Sequence, residues 1–267
     1  MLLLRATDLE PATLAKLAEW QSDVDGRATY FDRVAAAKAR FKQYNTNKNG
    51  TFQAVKVGLT GMCSGARRCV YCEDSVADEV EHMAPKDLYP ERVFDWGNYV
   101  YACGPCNGPK NNRYAVIQPN GAILEVTRKH GAPVSPPVAG TDALINPRTE
   151  NPVSFFDLDL LGTFVILSRM NLSPADYARA EFTLDVLDLN RDVLLKARAN
   201  AFGSYRARLF EYRAKRDGGA PEVELTTLVS GLRGMPHPSV FAEMQRTHVD
   251  IPELAAIFAD VPEALLW

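Results

Sequence analysis

No stretch of the 267 residues approaches the ~18 apolar positions that a membrane-spanning helix needs. The opening MLLLRATDLEPATLAKL has too short an apolar run for a secretory signal or an anchor. The expectation is a cytoplasmic protein with no membrane partner. Cysteine is scarce, with five in the chain. Without a secretory signal, those five suggest a reducing compartment, where C-x-x-C spacing means metal or redox chemistry rather than a disulfide framework. There is no internal repeat and no low-complexity segment, which sets repeat architectures aside. Net charge is also small, at −3, and argues against a wholly basic nucleic-acid binder. One local absence is more telling. From Arg33 to Arg68 there is no Asp or Glu, against eight Lys or Arg (Arg33, Lys38, Arg40, Lys42, Lys48, Lys56, Arg67 and Arg68). From Glu73 to Asp95 the balance reverses, with eight acidic residues against Lys86 and Arg92. A basic arm feeding an acidic, metal-capable segment suits phosphodiester chemistry; a solvated helical face accounts for the basic run equally well.

What is present is otherwise ordinary: 46% hydrophobic, 24% charged and 9% aromatic residues, in a length that suits one large domain or two small ones. Leu9, Leu14, Leu17 and Trp20 recur at helical spacing, with Pro11 where a first turn tolerates it. A second helix is expected over 30–44, with Phe31, Val34, Ala35 and Phe41 on one face. TFQAVKVGLTGM fits a short helix or a strand. DEVEHM and NYVYAC read as strands, and GPCNGPKNNR as a turn opening a helix. QPNGA marks a hairpin turn, and FFDLDLLGTFVILS two strands around Leu161-Gly162. From Ser173 the pattern is helical until the region from Pro221 to Pro238, where it is expected to break, and short apolar helices close the chain. Most of the apolar positions in these helices are core; Leu254, Ile257, Phe258, Leu265, Leu266 and Trp267 are also compatible with a partner contact.

The chemistry concentrates in the middle. Cys69-x-x-Cys72 and Cys103-x-x-Cys106 lie about thirty residues apart and can close a tetrahedral thiolate site for structural zinc. Neither pair has the strand–helix surroundings of a redox C-x-x-C. Cys63 is left over, as a substitute ligand or, in the favoured reading, a buried free thiol. Between and beyond the pairs stand Glu81-His82, Asn98 and Asn107, residue types that bind a hard cation and activate water. A lone strand histidine is more often structural, so the surroundings of His82 carry its functional reading.

The run CVYCEDS…EVEHMAPK…WGNYVYACGPCNGPKNNR resembles the HNH endonuclease family, whose ββα-metal core is a hairpin and helix clasping one cation. The family's His, Asn and last position correspond to His82, Asn98 and Asn107, the last being His in many members. The resemblance implies a metal-dependent endonuclease hydrolysing DNA phosphodiester bonds. In it His82 is the general base, Glu81 and Asn107 hold the cation, and Asn98 braces the loop. Asn107 in the third place adds an oxygen ligand, which favours magnesium or manganese. Cys69, Cys72, Cys103 and Cys106 would hold zinc, and Lys86, Lys110, Arg67 and Arg68 would meet nucleic acid. A looser likeness, through INPRTENP and LDLNRDVLLKAR, is to the HNH nucleases of Septu-type and retron-linked anti-phage systems, which work with an ABC-type ATPase partner.

The expected fold class is therefore α+β, mainly helical, with a small ββα core stapled by four cysteines. The expected division is a helical segment with a basic face over 1–60, a nuclease core over 61–115 and a mostly helical region over 116–267. The rival reading is a catalytically inactive, zinc-organised module for nucleic-acid binding or protein interaction.

Overall fold

Three helices open the chain in the computed structural model, which describes residues 1–267. Helix α1 (Pro11–Asp25) begins with proline, whose missing N–H costs nothing in a first turn. Helix α2 (Tyr30–Tyr44) is capped by Thr29, whose hydroxyl accepts from the Asp32 N–H at 3.1 Å. The ambiguous segment resolves as helix α3 (Gly50–Met62), with Asn49 accepting from the Phe52 N–H at 3.1 Å. Trp20, Phe41, Phe52 and Leu59 bury their side chains between the three, and the Trp20 and Tyr44 rings stack 4.1 Å apart. The buried stripe of α2 is Val34, Ala37 and Phe41, while Phe31 stays 59% exposed and Ala35 faces solvent. The expectation that Phe31 and Ala35 share the core face is thus corrected.

Strands β1 (Glu79–His82) and β2 (Tyr99–Ala102) form an antiparallel hairpin in which His82 stands opposite Tyr99 and Glu79 opposite Ala102. Helix α4 (Gly104–Lys110) follows at once, which completes a ββα unit. A three-stranded sheet then forms from β3 (Ala115–Ile117), β4 (Ile123–Glu125) and β5 (Thr141–Asp142), with β3 central. A second hairpin joins β6 (Phe156–Leu158) and β7 (Ile166–Ser168).

The remaining helices are α5 (Pro174–Val186), α6 (Asp192–Asp217), α7 (Glu222–Arg233), α8 (Pro238–Thr247) and α9 (Pro252–Asp260). Helix α7 occupies the region where the helical pattern was expected to break. Pro221 and Pro238 flank it, at the N-cap of α7 and the first turn of α8, and interrupt neither helix. The architecture is α+β and mainly helical, with nine α-helices and small antiparallel sheets. No helix is long and apolar enough to cross a membrane.

The β1–β2 hairpin serves two cores. Val80, Tyr99 and Tyr101 pack with α1 and α3, whereas Val100 and Ala102 join a larger cluster built on the cysteines and α5–α9. The alternation of a strand assigns neighbouring residues to opposite faces and so joins the two halves through one ribbon. Leu254, Ile257 and Phe258 are buried in the larger cluster, and Trp267 packs edge-on against Tyr212 at 4.7 Å. Of the terminal apolar residues, Leu266 stands 86% exposed.

Candidate functional site

Cys69 and Cys72 lie in the turn before β1, Cys103 caps α4, and Cys106 sits in its first turn. All four are buried, and their sulfurs lie within 4.8 Å of one another. The Cys72 and Cys103 sulfurs are 3.8 Å apart. A tetrahedral ion with Zn–S bonds of ~2.3 Å separates its sulfurs by about 3.8 Å, so the donor set fits a structural zinc. A disulfide needs ~2.05 Å, and all five cysteines are free thiols. Arg191, ahead of α6, points its guanidinium at Cys106 Sγ from 3.5 Å, where it would compensate the thiolate charge of a zinc-bound site. Eighty-five residues separate the two, and nothing local in the sequence marks the pairing. Burial pushes the half-buried Cys63 thiol up to about 11, which leaves it a protonated bystander.

His82 is 3% exposed. Its Nε2 lies 2.9 Å from the Val93 carbonyl, an acceptor only, so Nε2 carries the proton and Nδ1 keeps the lone pair. The ring meets Phe41 at 4.4 Å and Tyr99 at 5.1 Å, both edge-on. Burial, reinforced by the charges of Lys86 and Lys110, holds the imidazole pKa well below its usual value. The outcome is a neutral, oriented base.

Asn98 fixes the loop that presents this ring. Its side chain accepts from the Ala84 N–H at 2.8 Å and donates to the carbonyls of Ala84 and Arg92 at 3.0 Å each. The residue after Arg92 is Val93, which anchors the His82 ring, so Asn98 acts on the histidine through the backbone rather than on its ring.

Glu81 and Lys110 form a buried ion pair at 2.5 Å, and the Lys110 ammonium also donates to the His82 carbonyl at 2.9 Å. Lys110 is fully buried. The reading of Lys110 as a solvent-facing phosphate contact is therefore replaced by an internal one: it neutralises Glu81 and ties α4 to β1. Burial raises the Glu81 pKa, and Lys110 opposes that rise.

Asn107 does not bond Glu81; its amide donates to the Glu79 carboxylate at 2.5 Å. Glu79 was not singled out in the sequence. The signal was available, because the two-residue period of a strand puts Glu79 and Glu81 on one face.

Glu79, Glu81, His82, Lys86 and Asn107 line a polar pocket of about 520 Å3. Lys86 sits at this pocket with its ammonium 5.0 Å from the Phe41 ring, and burial lowers its pKa. Arg67 lies over the Tyr101 ring at 5.7 Å, and Arg68 pairs through its backbone with Val76; neither lines the pocket.

No family model matches this chain. It is similar to the Septu protein PtuB of Bacillus thuringiensis, 39% identical over 70 residues. That match takes in 24% of this chain and 26% of the relative, so the chain spans about a quarter of the relative's length.

Proposed function

We propose that this protein is a divalent-metal-dependent endonuclease of the HNH type, cutting DNA. The observation that carries the reading is the ββα unit itself. It sets a neutral, tautomerically oriented His82 at a polar pocket that also contains Glu79, Glu81 and Asn107, beside a closed four-cysteine frame. His82 Nδ1 takes the proton from an attacking water, as a general base whose pKa is held low enough to stay unprotonated. Glu79, Glu81 and Asn107 offer the hard oxygen donors that magnesium or manganese prefers. Such an ion, when bound, offsets charge on the scissile phosphate and stabilises the leaving 3′ oxygen. Asn98 keeps the 83–97 loop, and hence Val93, in register with the imidazole. The cysteines and a zinc ion among them do no chemistry; they hold the two ends of the unit together.

The resemblance of the central motif and the similarity to a Septu protein support a role in anti-phage defence; an ABC-type ATPase as regulatory partner is implied by the motif's resemblance alone. The Lys110 ammonium beside Glu81 favours the rival reading, a zinc-organised binding module without catalysis, because it already fills the charge of one carboxylate. Incubating supercoiled plasmid, single-stranded DNA and RNA with magnesium, manganese or EDTA separates the two. Divalent-dependent cleavage that His82→Ala abolishes supports the nuclease; no cleavage at any divalent concentration sinks it.

A further inference from the structure

A larger cleft, of about 960 Å3, opens beside the polar pocket. One wall is α2 and the other is the segment 127–134, with the end of α4 between them. Gly108, Asn111 and Asn112 line both the cleft and the pocket, so the two form one continuous depression.

The α2 wall has a regular composition. Phe31, Ala35, Lys38 and Lys42 recur at spacings of four, three and four, which places them on one helical face over about 17 Å. This face lies about a quarter turn from the buried stripe, with Val34 at the edge between them, and it presents an aromatic ring, small residues and two cations. The facing wall brings Arg128 and Lys129. Arg128 is fastened in place, donating to the Asp87 carbonyl at 2.8 Å, the Tyr30 hydroxyl at 3.2 Å and the Ser135 carbonyl at 3.1 Å. Lys38 pairs with Asp87 at 2.9 Å. Asp87 is the one carboxylate lining the cleft, against five Lys or Arg. Lys42 and Lys129 have no carboxylate partner and are exposed.

We infer that this cleft is the track for a single polynucleotide strand leading to His82, with Lys42 and Lys129 on its phosphates and Phe31 stacking on a base. A cationic groove interleaved with an exposed aromatic is the arrangement that binds single strands without sequence preference. A phenylalanine 59% exposed at a basic cleft has no packing role to explain it. The inference rests on the nuclease reading only for where the strand leads; its binding does not require cleavage.

The test is the affinity of a labelled oligothymidine of about twenty nucleotides, several times a typical ~4–16 nucleotide site at its lower end. It is measured by fluorescence anisotropy without divalent ions in a His82→Ala background, across a salt series. Adding Lys42→Ala with Lys129→Ala should weaken binding at least tenfold and lower the log–log salt slope by about 1.4, at ~0.7 per phosphate contact. Phe31→Ala should weaken it roughly tenfold with little change in slope. Lys196→Ala with Arg233→Ala, exposed cations outside the cleft, should change little. Unchanged binding in the Lys42/Lys129 and Phe31 variants overturns the inference, as does a duplex that competes as well as the single strand. Cleft-dependent binding by a protein that cuts nothing sustains the track and refutes the nuclease. Cleavage with cleft-independent binding does the reverse.

Discussion

The two candidate ion sites of this molecule lie within one ββα unit and are built in opposite ways. The cysteine site is closed: four buried sulfurs converge, and Arg191 covers the outside of Cys106. The pocket beside it is open, about 520 Å3 in volume, and lined by carboxylates, amides and an imidazole. Structural metal sites enclose their ion, and catalytic ones keep a position free. In the proposed nuclease one short motif would separate stability from chemistry through donor sets that differ in hardness.

Breaking the closed site should have the largest effect. Structural zinc contributes apparent free energies of ~10–16 kcal/mol in small zinc-binding peptides. Cys72→Ser with Cys103→Ser is expected to abolish zinc content by elemental analysis and to lower the thermal midpoint sharply. If both stay at wild-type values, the frame is not a frame.

Breaking the open site should leave the fold standing. In the proposed nuclease His82→Ala removes the general base, a contribution of about 10²–10⁴ in rate. Plasmid cleavage should fall by that factor while zinc content is retained.

Asn98→Ala sharpens the comparison, because it is a stability element inside the chemical half. The change strands the Ala84 N–H and the carbonyls of Ala84 and Arg92. A loss of about 2–4 kcal/mol is expected, read by urea unfolding. An unchanged midpoint would show that the loop is held by other contacts.

The smallest effect is a pH dependence from His237, behind the cysteine site. Its Nε2 lies 3.2 Å from Asp74, and burial lowers its pKa, with Glu73 and Asp74 opposing. A histidine whose folded pKa is depressed gives stability that is complete above the unfolded value of about 6.5. That stability is lost as pH falls below it, because the unfolded chain takes up the proton first. His82 acts with the same sign. His237→Asn, which tolerates the left-handed backbone at this position (φ 53°), should flatten the fall in thermal midpoint below pH ~6.5. Parallel curves for wild type and variant would remove His237 from the account.

The sequence carried the local features well and the long-range ones poorly. The bounds of α2 and the strand–loop–strand–helix order around the cysteines were legible, because helical spacing and β-propensity are properties of neighbours in the chain. The exposed face of α2 was not, since Ala37 and Phe41 turn inward through packing with α1 and α3 rather than by α2 alone. Lys110 looks solvated in sequence because its partners, Glu81 and the His82 carbonyl, are 29 and 28 residues away. Asn107 meets Glu79, a residue the sequence reading leaves out, because of where α4 crosses the strand. Helix α7 was hidden by reading Pro221 and Pro238 as breaks when they mark helix starts.

The central claim is that the closed site frames and the open site reacts. Its most direct test measures zinc content and divalent-dependent plasmid nicking on the same preparation of His82→Ala, beside wild type. One zinc per chain is expected in both proteins, with nicking by wild type alone, dependent on magnesium or manganese and stopped by EDTA. Nicking by His82→Ala at the wild-type rate, or an inactive wild type that holds its zinc, would contradict it.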